Sequence, residues 1–336
     1  MLASIQKIKE IAPIKDADKI VVATVLGYKS VVKIGEFKEN DLCVFIFPDT
    51  IVQRASWNKF LWPKGDEDIS GPPIRIKCCK LRKQISEGLT LPISILGEGD
   101  WKEDDIVEEQ LKVSKYTKDI PVSLAGDVAG HFPGFLRKTD SERIQNYPEL
   151  LEEFKVLGCV GRIKFDGTSA TFYFKDGKFG VCSRNWELKE SDGNVYWEME
   201  RQYHLRQKLT ESNRNIAIQG EIIGPGIQGN KMGLAGRSLI VFDVWDIDKQ
   251  KYYDSDVLEA FCQENGIQIA TEVYRGDFAL SMEELQEFAN KQTYSNQTPS
   301  EGIVFRPNME RMSEKTNIGR LAFKVISQTF ALKYGE

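Results

Sequence analysis

Histidine is nearly absent from this sequence of 336 residues, and cysteine is sparse. His131 and His204 stand alone, and Cys43, Cys78, Cys79, Cys159, Cys182 and Cys262 contain no CxxC pair. A zinc cluster is therefore not expected, and the cysteines read as reduced packing residues. No run approaches the roughly 20 apolar residues that a membrane helix needs, and "MLASIQKIKE" lacks the apolar centre of a signal peptide. No membrane partner is expected, and a cytoplasmic location is. Positive charge is not in excess either: 45 Lys and Arg face 50 Asp and Glu, a formal net charge of -5. That balance argues against indiscriminate adhesion to nucleic acid while leaving room for a local basic groove. Internal repeats, low-complexity tracts and a GxxxxGK[ST] phosphate loop are missing too. With 41% apolar residues, the chain has enough material for two cores, and its length favours two domains.

Two compositional units follow. Over residues 1–97, "KIVVATVLG", "KSVVKIG", "DLCVFIFP" and "IRIKCCKLRKQ" read as short strands separated by Gly27, Gly35, Asn40 and Pro48, which predicts a small β-barrel. The acidic stretch "EGDWKEDDIVEEQLKVSKYTKD" reads as a connector over 98–119 with one short helix. From 120 to 336, strands ("GCVGRIKFDG", "IAIQGEIIG", "SLIVFDVWDI", "EGIVFRP") mix with helices ("VYWEMERQYHLRQKL", "DSDVLEAFCQEN", "SMEELQEFANK"). Ser281 and Glu284 have capping-box spacing at the last helix. The fold class is α+β.

"GPGIQG", residues 224–229, fits G-x-G-x-x-G after a strand, with Asp243 near where a ribose-binding acid would sit. Pro225 and the following "NKMGLAGRS" open a crossover helix poorly, so a glycine-rich surface loop is the better reading.

The chemistry concentrates elsewhere. In "RIKFDGTSA", Arg162, Lys164 and Asp166 alternate with Ile163 and Phe165 until Gly167 ends the strand. A free lysine has a pKa of about 10.4, so at pH 7.5 only about one amine in a thousand is neutral, a handicap of roughly 4 kcal/mol for a nucleophile. A metal, a cationic neighbour or desolvation would relieve it. Asp166 can hold metal-bound water, and Gly167 can let a phosphate or ribose approach the backbone. Further polar groups recur on apolar strands: "SRN" (183–185), Glu221 in "QGEIIG", Phe242 in "VFDVWD", Glu301 in "EGIVFR" and Lys324 in "LAFKVIS". Any one of these charges fits a solvated strand face; the ordered series does not.

The series resembles the nucleotidyltransferase motifs of the covalent ligase superfamily, and most closely the ATP-dependent RNA ligases of the Naegleria and Deinococcus type. "KFDGTS" looks like motif I, "SRN" like motif Ia, "GEIIG" like motif III, "FDVWD" like motif IIIa, "EGIVFR" like motif IV and "FKVIS" like motif V, and "FPGFLRKTDSERIQN" is similar to a segment that precedes them. Ser169 stands where capping enzymes and DNA ligases usually place arginine. The resemblance implies an amino-terminal OB domain followed by a nucleotidyltransferase (ATP-grasp-like ligase) domain of antiparallel sheets and helices, with no further domain expected after motif V. It implies Lys164 as nucleophile on ATP and Asp166, Glu221 and Glu301 on Mg2+ or Mn2+, directly or through water, with Asp166 or Glu221 as alternative ribose ligands. Lys324 would contact the α-phosphate, Arg184 the ribose or RNA 5′-phosphate, Phe242 would stack on adenine and the Ile163 backbone would read its edge. Arg143 is assigned to RNA or departing phosphates. Motif V departs from the pattern: Ile326 holds the position of an expected second lysine, and Lys333 and Lys315 are the candidate replacements.

RNA bearing 3′-hydroxyl and 5′-phosphate ends, at nicks, is the expected partner, and a monomer the expected state. Lys77, Lys80 and Arg82 lie in a stretch with Arg75 and Lys83 and no acid, which suits a polyanion on an OB strand. Two rivals are a GTP-dependent capping or DNA-joining relative and a non-catalytic OB-fold RNA-binding protein.

Overall fold

The computed structural model describes residues 1–116, 126–155, 157–314, 316 and 319–335. The chain divides into two compact units. The first comprises Met1–Lys118, Gln145–Pro148 and Gln328–Glu336, and the second Asp119–Ile144 and Glu149–Ser327.

In the first unit an antiparallel sheet runs in the order Tyr28–Lys33, Ile20–Val25, Ala3–Pro13, Leu42–Ile46, Leu89–Pro92, and a second one joins Ser114–Lys115, Thr50–Val52 and Ile74–Arg75. Alternation divides its strands between two cores. Val44 and Ile46 pack with Ala3, Ile5 and Leu91, while Cys43, Phe45 and Phe47 pack with Ile8, Val25 and Tyr28. Strand Ala3–Pro13 has no counterpart among the sequence-based strands. It is central in its sheet, both faces of its first half are buried, Ser4 and Gln6 included, and a bulge between Ile8 and Glu10 breaks its period.

The acidic stretch read as a connector is instead part of this unit. Asp104 N donates to Ile5 O at 2.9 Å, and Val107 and Leu111 are core residues. Over 98–116 it forms turns and one short strand rather than the expected helix. "IRIKCCKLRKQ" is also not one strand. Ile74–Arg75 belongs to the three-stranded sheet, and Cys79–Leu81 then pairs with Gln84–Ser86 in a two-stranded hairpin of its own.

The second unit holds the larger sheets. A seven-stranded antiparallel sheet runs Val128–His131, Trp186–Leu188, Lys178–Cys182, Thr168–Lys175, Ile216–Ile223, Ser238–Asp246, Lys251–Tyr252. On one face Phe172, Ile218 and Val241 pack with residues of helices Val195–Tyr203, Leu205–Ser212 and Ser255–Glu264; on the other, Tyr173, Ala217 and Trp245 form a smaller cluster. The single helix expected over 195–209 is broken at His204, which sits at φ 54 in the left-handed region and caps both halves. A five-stranded sheet runs Glu142–Arg143, Phe323–Ile326, Gly302–Pro307, Gly158–Lys164, Glu272–Asp277, its core built on Phe154, Phe278, Phe305 and Phe323. The capping box at helix Met282–Lys291 forms as read: Glu284 N donates to Ser281 Oγ at 3.2 Å and Ser281 N to Glu284 Oε2 at 2.8 Å.

Candidate active site

The site lies where the chain leaves one large sheet for the other. Lys164 ends strand Gly158–Lys164 of the five-stranded sheet, residues 165–167 make the crossing, and Thr168 begins strand Thr168–Lys175 of the seven-stranded sheet. A Cβ on Gly167 would lie 2.3 Å from Ile222 O and 2.7 Å from Glu221 Cγ, so glycine is needed to press the crossing against strand Ile216–Ile223. The space it leaves is filled by protein, not held open for a phosphate or ribose.

Register brings the other candidates in. Lys164 pairs with Gly302, next to Glu301, and Lys324 pairs with Val304 on one side and Arg143 on the other. Glu221 pairs with Ser169. Lys164 Nζ donates to Glu301 Oε2 at 2.6 Å. Asp166, 5% exposed, forms an ion pair with Lys231. Phe242 is the extra residue of a bulge in Ser238–Asp246, between pairs Gln219–Asp243 and Gly220–Val241, and stays half-buried while its neighbours are core. Arg184 is exposed, its Nη2 donating to Asp140 Oδ1 at 2.7 Å. Ile163 is a core residue whose N–H already donates to Thr271 O at 2.8 Å.

The charges of this cluster act on one another. Burial pushes the Glu221 carboxyl up to about 8; Lys164 opposes the rise, and Glu301 and Asp166 add to it. Burial would lower the Lys164 amine, but Glu301, Glu221 and Asp166 together raise it above the ordinary lysine value. Desolvation alone therefore does not supply the neutral amine that a nucleophile needs, and the amine is held protonated. The neighbouring Lys324 goes the other way, down to about 8, through burial, Lys164 and Arg143. The three carboxylates also do not form a ready-made metal cage. Among the described residues no group of three or more His, Cys, Asp or Glu side chains is placed to hold a metal ion; Glu301 is engaged by Lys164 and Asp166 by Lys231.

Two family descriptions match this chain. An OB-fold domain covers residues 2–93, and a family described as RNA ligase covers 159–326, which includes Lys164, Asp166, Arg184, Glu221, Phe242, Glu301 and Lys324. The chain belongs to the RNA ligase family. Among solved structures, Naegleria gruberi RNA ligase with PPi is 32% identical over 98% of this chain and 97% of that one, with a TM-score of 0.86. A variant of the same Naegleria enzyme with ATP and Mn matches over 100% and 99% at 32% identity and TM-score 0.88, and another with AMP and Mn over 98% and 97% at 32% and 0.86. No curated protein sequence matches the chain.

Two residues of this RNA ligase escaped the sequence reading. Lys231 comes from the glycine-rich run after Glu221, where "GNK" carried no recognisable signal, and Tyr294 from the polar loop "TYSNQTPS". The run itself opens no crossover helix. It forms turns around a short 3-10 segment, Gln228–Asn230, and Asp243 is held by Arg306 at 3.0 Å and Arg320 at 2.8 Å, not poised for a ribose. Ile326 is an apolar core position, Lys333 lies on helix Gln328–Tyr334 of the first unit, and Lys315 falls outside the described residues. Of the basic candidates in the first unit, Lys77, Lys80 and Arg82 are exposed. Arg82 and Lys83 form the hairpin turn at φ 49 and 69, whereas Arg75 is spent on Asp49 at 2.6 Å and on the Tyr116 ring.

Proposed function

We propose that this protein is an ATP-dependent ligase that joins RNA 3′-hydroxyl and 5′-phosphate ends, at nicks, through a lysyl-AMP and an RNA-adenylate intermediate. The carrying observation is the placement of Lys164 at a strand end, 2.6 Å from Glu301 and within the fields of Glu221, Asp166 and Lys324. The full-length likeness to a ligase solved with ATP, AMP and PPi supports the same reading.

Three phosphoryl transfers follow. Lys164 Nζ, after shedding a proton for which Glu301 Oε2 is the nearest acceptor, attacks the α-phosphorus of ATP; a P–N bond forms and pyrophosphate leaves. An RNA 5′-phosphate oxygen then attacks that phosphorus, breaking the P–N bond, and the amine regains its proton. Finally the 3′-hydroxyl attacks the activated 5′-phosphate, its proton leaves and AMP departs. Such steps depend on positioning and on neutralising charge. Lys324 suits the α-phosphate, Phe242 the adenine face, Arg184 the ribose or RNA 5′-phosphate, and Arg143 the RNA or departing phosphates.

The oxygen-only donor set fits a hard divalent ion such as Mg2+ or Mn2+, held by one or two carboxylates together with phosphates and water rather than by a protein cage. Glu221, raised to about 8 and in no ion pair among the described residues, is the first choice, with Asp166 and Glu301 acting through water. When bound, the ion would offset carboxylate charge and so lower the Lys164 amine. Lys77, Lys80 and Arg82 are assigned to RNA, and the protein is expected to act as a monomer.

The test is sealing of a nicked duplex, a splinted pair and free single strands, with ATP or GTP and a divalent metal. RNA-adenylate followed by joined RNA, best at nicks and only with ATP, is the expected result. GTP dependence or the absence of any joined product would refute the assignment.

A further inference from the structure

A small hairpin that lies outside the quoted motifs is tied to the catalytic cluster through Tyr294. Residues 292–300 fold back on themselves: Thr293 bridges Pro299, Tyr294 N donates to Thr298 O at 2.8 Å, and Ser300 N to Gln292 O at 3.0 Å. At its corner Tyr294 is 4% exposed, its ring stacked on Phe165 with centroids 5.5 Å apart.

A phenol has one hydrogen to donate and lone pairs to accept with, and Tyr294 uses both. Its hydroxyl donates to Lys164 O at 3.2 Å and accepts from Asp166 N at 3.1 Å and Glu301 N at 3.1 Å. One oxygen thus ties the backbones of the nucleophile, the acid two residues on and the acid facing the nucleophile. The same hairpin reaches the side chain of Asp166 by a second route. Asn296 Nδ2 donates to Lys231 O at 3.1 Å, and the Lys231 ammonium pairs with Asp166. This also gives the glycine-rich run a task, delivery of Lys231.

We propose that Tyr294 is a positioning residue for the lysine adenylylation step, fixing Lys164 against Glu301 through its hydroxyl. The inference rests on the nucleotidyl-transfer reading above. Tyr294→Phe keeps the ring and its stacking but leaves two N–H groups without their acceptor, and small misplacements of a reacting group cost rate more than affinity.

Single-turnover labelling with ATP should be slowed about 10- to 100-fold, with the KM for ATP changed by less than about threefold. Sealing of RNA supplied with its 5′ end already adenylylated does not use the Lys164 amine as a nucleophile. That reaction should lose at least about fivefold less than labelling does. 3-Fluorotyrosine at 294, which retains the hydroxyl but weakens it as an acceptor, should give a smaller loss in the same direction, and it covers the case of a Phe variant that does not fold. An unchanged labelling rate, a loss carried by KM, or equal losses in both reactions would overturn the proposal. If the wild-type protein took no label, the nucleotidyl-transfer reading itself would fail; wild-type labelling matched by the variants would sink only the role of Tyr294.

Discussion

Glu221→Gln should stabilise the ligand-free protein, and only on the alkaline side. The Glu221 carboxyl is half-buried, faces Glu301 and Asp166, and titrates at about 8 instead of 4.5. A carboxyl whose folded pKa is raised binds more protons in the native than in the unfolded state between those two values, so stability falls as pH rises from 4.5 to about 8 and is level above. Moving the pKa that far corresponds to about 5 kcal/mol at full ionisation, which solvent access to the cleft reduces to about 2 kcal/mol. The amide has nothing to ionise. At pH 8.5 the variant should therefore melt roughly 4–8 °C above wild type, and at pH 5 within about 1 °C of it. Lys324, lowered to about 8 against an ordinary 10.5, makes stability rise with pH above 8 in both proteins, so its contribution cancels when they are compared at one pH. Thermal unfolding followed by circular dichroism at the two pH values decides the matter. An equal difference at pH 5 and 8.5, or a variant less stable at pH 8.5, would refute the electrostatic account of Glu221.

Asp243→Asn leaves Arg306 and Arg320 facing a neutral amide in the core and should cost about 3–5 kcal/mol; a loss below 1 kcal/mol in urea unfolding would show that Glu310 alone satisfies Arg320. Neutralising Lys77, Lys80 and Arg82 together should weaken RNA binding and flatten its log-log salt dependence by about one unit for each phosphate that no longer meets a cation. Labelling of Lys164 by ATP should change little in that variant, and an unchanged salt slope would remove these residues from the RNA surface. Glu301→Ala should reduce sealing by orders of magnitude with its circular dichroism spectrum intact; unimpaired sealing would rule out any role for Glu301 in the reaction.

Much of the second unit was legible because its signals are local. Alternation ends abruptly at Gly167, a capping box marks helix Met282–Lys291, and charges such as Glu221 and Lys324 interrupt apolar strands. What failed to show depends on partners distant in sequence. The first half of strand Ala3–Pro13 is buried on both faces, which erases its alternation. The helix break at His204 leaves no proline or glycine to mark it, and the hairpin at Arg82 and Lys83 uses left-handed residues of types that seldom adopt that backbone. Tyr294 and Lys231 reach the site from loops 128 and 65 residues from Asp166, so no local pattern could announce them. The protonated state of Lys164 is likewise a property of three carboxylates gathered by the fold, not of the sequence around it.

The central claim concerns one nitrogen atom. Incubation with α-labelled ATP and Mg2+ or Mn2+ should attach label to the protein in a bond that survives denaturation and breaks under the acid conditions that cleave phosphoramidates. Peptide mapping should place it on Lys164, and Lys164→Ala should carry none. Label of equal intensity on Lys164→Ala, or mapped to any other residue, would contradict the account.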